Sequence, residues 1–170
     1  MILEYIMNKK FFVSIVVTML TVNLFCDSFS DEIWKKGDDA YLRSIVNMID
    51  SELFGSKLSE HVKAVNWGTK AEGHAATTYY NDGTWNGTAF CWIGINKRII
   101  DSNNIDFETI YCVLLHEMCH VATYMIDGML HEESSIEFKR WIDYAQKESK
   151  IARNHDISWF NADVYRGAIR

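Results

Sequence analysis

Tyr111 to Gly128 reads YCVLLHEMCHVATYMIDG, and within it His116-Glu117-Met118-Cys119-His120 forms an H-E-x-x-H pattern. On a helix, residues four apart lie one above the other, so His116 and His120 can grip one ion together. Neutral imidazole suits Zn²⁺, and a catalytic zinc keeps one position open for water. Glu117, beside the first histidine, is placed to take a proton from that water. Two imidazoles and a carboxylate inside an apolar run would cost several kcal/mol to bury without partners, and a metal supplies one.

The flanks suit a buried central helix. Asp106 is the expected N-cap, the helix runs Phe107 to Ile126, and Gly128 suits the position just past its end. Apolar residues lie nearly all round it, from Ile110 to Met125, so most of its sides are expected to be covered. Working outward, Val62–Trp67 alternates as a short strand, Ala75–Asn81 is rich in β-formers, and Thr88–Asn96 is the clearest strand. Asn81-Asp82-Gly83 marks a turn, and the loop to the third strand is expected to be exposed. Upstream, Ile33, Trp34, Tyr41, Leu42, Ile45, Val46, Ile49 and Leu53 recur at helical spacing, with a main helix over 38–53 and Gly55 as its stop. Downstream a helix is expected over 132–151, with Ile136, Phe138, Trp141, Ile142 and Ala145 facing in; Trp159, Phe160 and Tyr165 are expected to pack back. The fold class is α+β: a small antiparallel sheet against a central helix, with one helix before and one after.

The 170 residues suffice for one domain, and 48% apolar residues can fill its core. A net charge of −6 argues against a non-specific nucleic-acid grip, which needs clustered cations. At the N-terminus, Asn8-Lys9-Lys10 precedes the apolar run Phe11–Phe25, the pattern of a secretory signal with cleavage after Ser30. The organisation is thus 1–30 as signal and 31–170 as the domain. Residues 11–25 acting as an uncleaved anchor is the alternative. Cys26 would leave with the signal. Of Cys91, Cys112 and Cys119, at most one disulfide can form; Cys112 and Cys119 are too far apart along the helix to pair with each other. Small buried residues is the simpler reading of all three. Cys119 as a metal ligand is disfavoured. Asn86-Gly87-Thr88 is a sequon, usable only on a secreted chain.

Leu114-Leu115-His116-Glu117-Met118-Cys119-His120, with Ile126-Asp127-Gly128, resembles the SprT-like metalloprotease domain, in the form found in germ cell nuclear acidic protein and in Spartan. Leu53-Phe54-Gly55-Ser56-Lys57-Leu58, Trp67, Ala75-Ala76 and Ile93-Gly94-Ile95-Asn96 extend the likeness upstream, and Glu137-Phe138 extends it downstream. The resemblance spans about 41–160 and implies a zincin-like fold. One departure stands out. The family's third zinc ligand is a histidine before a glycine, four residues ahead of an aromatic; counting back from Phe138 gives Ser134-Ser135. His131 is the nearest histidine. If the following helix starts early, His131 lies one turn before Ser134 on a similar face. Glu132, Glu133 and Glu137 are carboxylate alternatives, and no protein third ligand is the remaining one.

The expected function is a zinc-dependent endopeptidase, with His116, His120 and His131 on Zn²⁺ and Glu117 as base, acting on a protein or peptide substrate. The strand through Ile93 is expected to pair with an extended substrate. The rival is a catalytically inactive binding module on the same scaffold. The signal implies a secreted protein with no stable membrane association once cleaved. The sequence leaves the oligomeric state open. His61, His74 and His155 are single histidines, read as surface residues.

Overall fold

Asp38 and Asp39 open the first described helix. The Asp39 side chain caps a helix, accepting the Tyr41 and Leu42 amides at 3.0 Å each. Asp38 accepts from the Arg43 guanidinium and from the Val65 amide, so the start of this helix is pinned to a strand. Arg43 continues the tie by donating to the carbonyls of Ser59 and Val62. This computed structural model describes residues 37–68, 74–81, 89–97, 106–128 and 134–158. The signal segment and its boundary, Ile33, Trp34, the 82–88 loop with its sequon, and Trp159, Phe160 and Tyr165 lie outside the described residues.

The helix is α1, Ala40–Ile49, with Leu42, Ile45, Val46 and Ile49 on its buried stripe. Tyr41, expected inward, is 48% exposed because it stands beside that stripe rather than on it. The expected continuation to residue 53 is not α-helical. Asp50–Phe54 forms one π-helical turn, closed by Gly55 in the left-handed region at φ 66°. Asp50 organises this exit. Its carbonyl takes the Gly55 and Ser56 amides, and its buried carboxylate takes those of Lys57, Leu58 and Ser59. A 3₁₀ turn at Ser59–His61 then leads into the sheet.

The sheet comprises β1 (Val62–Trp67), β2 (Ala76–Asn81) and β3 (Phe90–Ile95) in the order β1-β3-β2. It is mixed, not antiparallel as expected: β2 runs antiparallel to β3, but β1 runs parallel to it. A parallel pair needs a long crossover, and the chain between Trp67 and Phe90 provides one, with β2 inside it. The strand choice follows from burial. β3 is the most apolar strand and is buried through Cys91–Ile95, so it takes the centre, where both of its edges are paired. That removes the expected role of the Ile93 strand as a docking edge for substrate.

Helix α2, Phe107–Asp127, has Asp106 as N-cap, accepting the Thr109 amide at 2.9 Å, and Gly128 as a left-handed C-cap. Every residue from Ile110 to Thr123 is buried. Helix α1, the sheet and a third helix, α3 (Ile136–Glu148), cover it from different sides, which an all-round apolar helix requires. Each fully buried aliphatic such as Leu114 or Leu115 contributes about 1.5–3 kcal/mol. Helix α3 is Ile136–Glu148, shorter than the expected 132–151. Ser135 accepts the Phe138 amide and so fixes its start. Phe138, Ile142 and Ala145 form its buried face, while Ile136 lies on the opposite side, 78% exposed, against the expectation that it points inward. Tyr111 locks the three helical segments together: its hydroxyl donates to Glu52 and contacts Ser149. Beyond α3, a 3₁₀ turn at Ala152–Asn154 brings the chain back over α2, and Ile157 is fully buried there.

Candidate functional site

The site is built on the middle of α2. His116 and His120 lie one turn apart, 5% and 6% exposed, with ring centroids 5.0 Å apart and planes at 77°. Each ring is held by a different element. His116 Nδ1 lies 2.8 Å from the carbonyl oxygen of Ile157, delivered by the segment after α3. A carbonyl can only accept, so Nδ1 carries the proton in the neutral ring and Nε2 keeps its lone pair. His120 is stacked on the Phe138 ring at 4.1 Å and 17°, and the same ring stands edge-on to His116 at 5.3 Å. The buried face of α3 therefore sets the plane of the second histidine.

Glu117 points toward the sheet. Its side chain is 95% removed from solvent by residue exposure, and Oε2 accepts a 2.6 Å bond from the Thr78 hydroxyl on β2. The same hydroxyl lies 3.3 Å from the Glu117 main-chain oxygen. Alternation along β2 sends Ala76, Thr78 and Tyr80 to the α2 side. Tyr80 packs edge-on to Tyr124 at 4.8 Å, and burial together with the Glu117 charge pushes its phenol well up. Helix α2 thus turns its two imidazoles toward α3 and the returning tail, and its carboxylate toward the sheet.

The donor chemistry suits a divalent ion of the zinc type: two adjacent imidazoles, one with its tautomer set by a backbone carbonyl in the manner usual for metal-ligating histidine. Among the described residues, no three His, Cys, Asp or Glu side chains converge as a ligand set. That removes Glu137, which sits on the first turn of α3, as the third member. It removes Cys119 as well, which is fully buried and joins no such set. Ser134 is exposed and precedes the helix, so the expected early helix start that would have placed His131 one turn before it does not occur. His131, Glu132 and Glu133 themselves lie outside the described residues. Among the described residues His61, His74 and His155 join no metal-ligand cluster; His155 Nε2 lies 3.4 Å from Glu108. Cys91, Cys112 and Cys119 are free and buried, and burial pushes the Cys91 and Cys112 thiols up to about 12.

Three contributors escaped the sequence reading. Thr78 could have been suspected as a polar residue on the inward phase of a half-buried strand. The spacing of α3 points Phe138 inward, but nothing in it marks the ring as a partner of His120. The Ile157 carbonyl carries no side-chain signal at all.

A model of the SprT-like family matches residues 42–158, which takes in all three strands, the His-Glu-x-x-His helix and the tail that meets His116. No curated protein and no solved structure gives a significant match to the chain.

Proposed function

This chain belongs to the SprT-like family, whose domains are of the zincin-like metalloprotease type, and we propose that it is a zinc-dependent endopeptidase. The observation that carries the reading is the Ile157 carbonyl on His116 Nδ1 beside His120 one turn away. That bond fixes the tautomer in which Nε2 carries the lone pair, the atom with which a metal-ligating histidine binds its ion. His116 and His120 would hold the ion, with His131 as the proposed third ligand and Glu132 or Glu133 as alternatives. Zinc there would act as a Lewis acid on the scissile carbonyl. Glu117 takes a proton from the attacking water and returns it to the leaving amine. Phe138 and Ile157 hold the two rings in place meanwhile. The proposed substrate is an unstructured protein or peptide. The proposed setting is extracellular, resting on the basic and apolar pattern at 8–25.

The test combines zinc stoichiometry after dialysis with cleavage of an unfolded protein, using Glu117→Gln as control. One zinc per chain and cleavage lost only in the variant is the expected result. Equal cleavage by both proteins would sink the assignment. A second reading, an inactive binding module, is favoured by Ser134-Ser135 at the family's third-ligand position. Failure to retain zinc would select it.

A further inference from the structure

We propose that Thr78 is the positioning residue of Glu117: its hydroxyl clamps Oε2 and so fixes the carboxylate that takes and returns the proton. The inference rests on the endopeptidase reading for its chemistry, but its geometry stands independently. Thr78 Oγ1 donates to Oε2 at 2.6 Å, a short, charge-assisted bond between two residues 7% and 5% exposed. Glu117 projects from a helix and Thr78 from a strand, so the carboxylate is held by a group outside its own element. The strand is itself fixed. Antiparallel pairing sets Thr78 opposite Ile93 of β3, whose side chain is fully buried in the core. A slip of β2 by one residue would turn Thr78 outward and bring Thr77 or Tyr79 to the carboxylate.

The chemistry explains why a hydroxyl serves better here than a cation. A lysine or arginine would also fix the carboxylate, but it would form a salt bridge that opposes protonation of the base. A hydroxyl holds one oxygen and remains neutral. It also has a lone pair with which to accept if Oε2 is ever protonated. A general base must lie within hydrogen-bond reach of its proton, and small misplacements cost large factors. A buried glutamate with three side-chain torsions gains that placement from an external clamp.

The experiment compares Thr78→Val and Thr78→Ser with wild type in the full chain. Valine keeps the shape and removes the hydroxyl; serine restores it. Cleavage by the valine variant should fall roughly ten- to a hundredfold in kcat, within the range for a misaligned base. KM should stay within about twofold, zinc stoichiometry should be unchanged, and serine should recover most of the loss. Wild-type kcat in the valine variant, or an equal loss in the serine variant, overturns the proposal. So does a fall in bound zinc that matches the fall in kcat, which would mark Thr78 as merely structural. A crystal structure of each variant gives a readout without activity: the Glu117 carboxylate should leave its wild-type position in the valine variant and keep it in the serine variant. An unmoved carboxylate in the valine variant overturns the clamp even if the wild type cleaves nothing, whereas a moved carboxylate in an inactive protein upholds the clamp and sinks only the endopeptidase reading.

Discussion

Among the described residues Asp50 and Glu117 are the two buried carboxylates, 1% and 5% exposed, and they are held in opposite ways. Asp50 sits at the exit of α1 and receives backbone amides from three consecutive residues, Lys57, Leu58 and Ser59. Those donors belong to the turn that the carboxylate itself organises, and they cannot rotate away. Glu117 sits in mid-helix, where its own backbone is committed to the helix ladder, and it takes a hydroxyl from a different element. The first arrangement fixes a chain path. The second fixes a side chain while leaving it a rotatable, neutral partner. Burial alone therefore does not separate the structural carboxylate from the one proposed as a base; the kind of donor does.

The sharpest way to break this comparison is to neutralise each carboxylate in turn. Glu117→Gln should lower cleavage by about 10²–10⁴-fold, the usual worth of a general base. Its melting temperature should stay within about 2 °C of wild type, because glutamine fills the same space and still accepts from Thr78. Asp50→Ala should do the reverse. It orphans three buried or half-buried amides at about 1 kcal/mol or more each, so urea unfolding should show a loss of at least ~3 kcal/mol. A smaller loss than Glu117→Gln produces would reverse the assignment of roles.

Phe138→Leu tests the support of the proposed metal ligands rather than of the proposed base. Removing the ring from His120 should cost about 1 kcal/mol of stability and weaken zinc binding by roughly tenfold, as loss of an orienting partner does. A competition titration against a chelator measures it, and unchanged affinity would show that the ring only fills space. The smallest effect belongs to Asp38. Burial acts to raise its carboxyl, but the Arg43 guanidinium and the Val65 amide outweigh it and hold the group below the usual carboxylate range. Its contribution is therefore present at neutral pH and is lost as pH falls from about 4 through the lowered value. Asp38→Asn should slightly lower stability on the neutral plateau and flatten the acid limb of a stability-against-pH curve, so that variant and wild type converge at the lowest pH.

The features legible in the sequence are those decided within a few residues. Asp106 and Gly128 bound α2 because a capping carboxylate and a left-handed glycine act on their immediate neighbours. β1 matches its expected limits because its alternation is local. His116, Glu117 and His120 share a helix because their spacing does. Helix α3 is legible but its start is not, since the glutamates before it are good helix formers while Ser135 takes the cap. The left-handed Gly55 was read as a stop, but the Asp50 turn that precedes it was not. Its amides lie seven to nine residues downstream, beyond any periodic pattern.

Tertiary structure alone decided the rest. The parallel pairing of β1 with β3 depends on which strand is buried on both faces, a property of the assembled layers rather than of any strand. The same strand order moves the sheet edge nearest Glu117 from β3 to β2 and brings Thr78 to the carboxylate. The Ile157 carbonyl reaches His116 across forty-one positions of sequence, carried by a backbone group that every residue possesses. The sequence determines which side chains can do chemistry, because residue type and short spacing encode that directly. Which groups orient them is settled only when distant segments pack, because hydrogen bonds to backbone and to neighbouring strands leave no local mark.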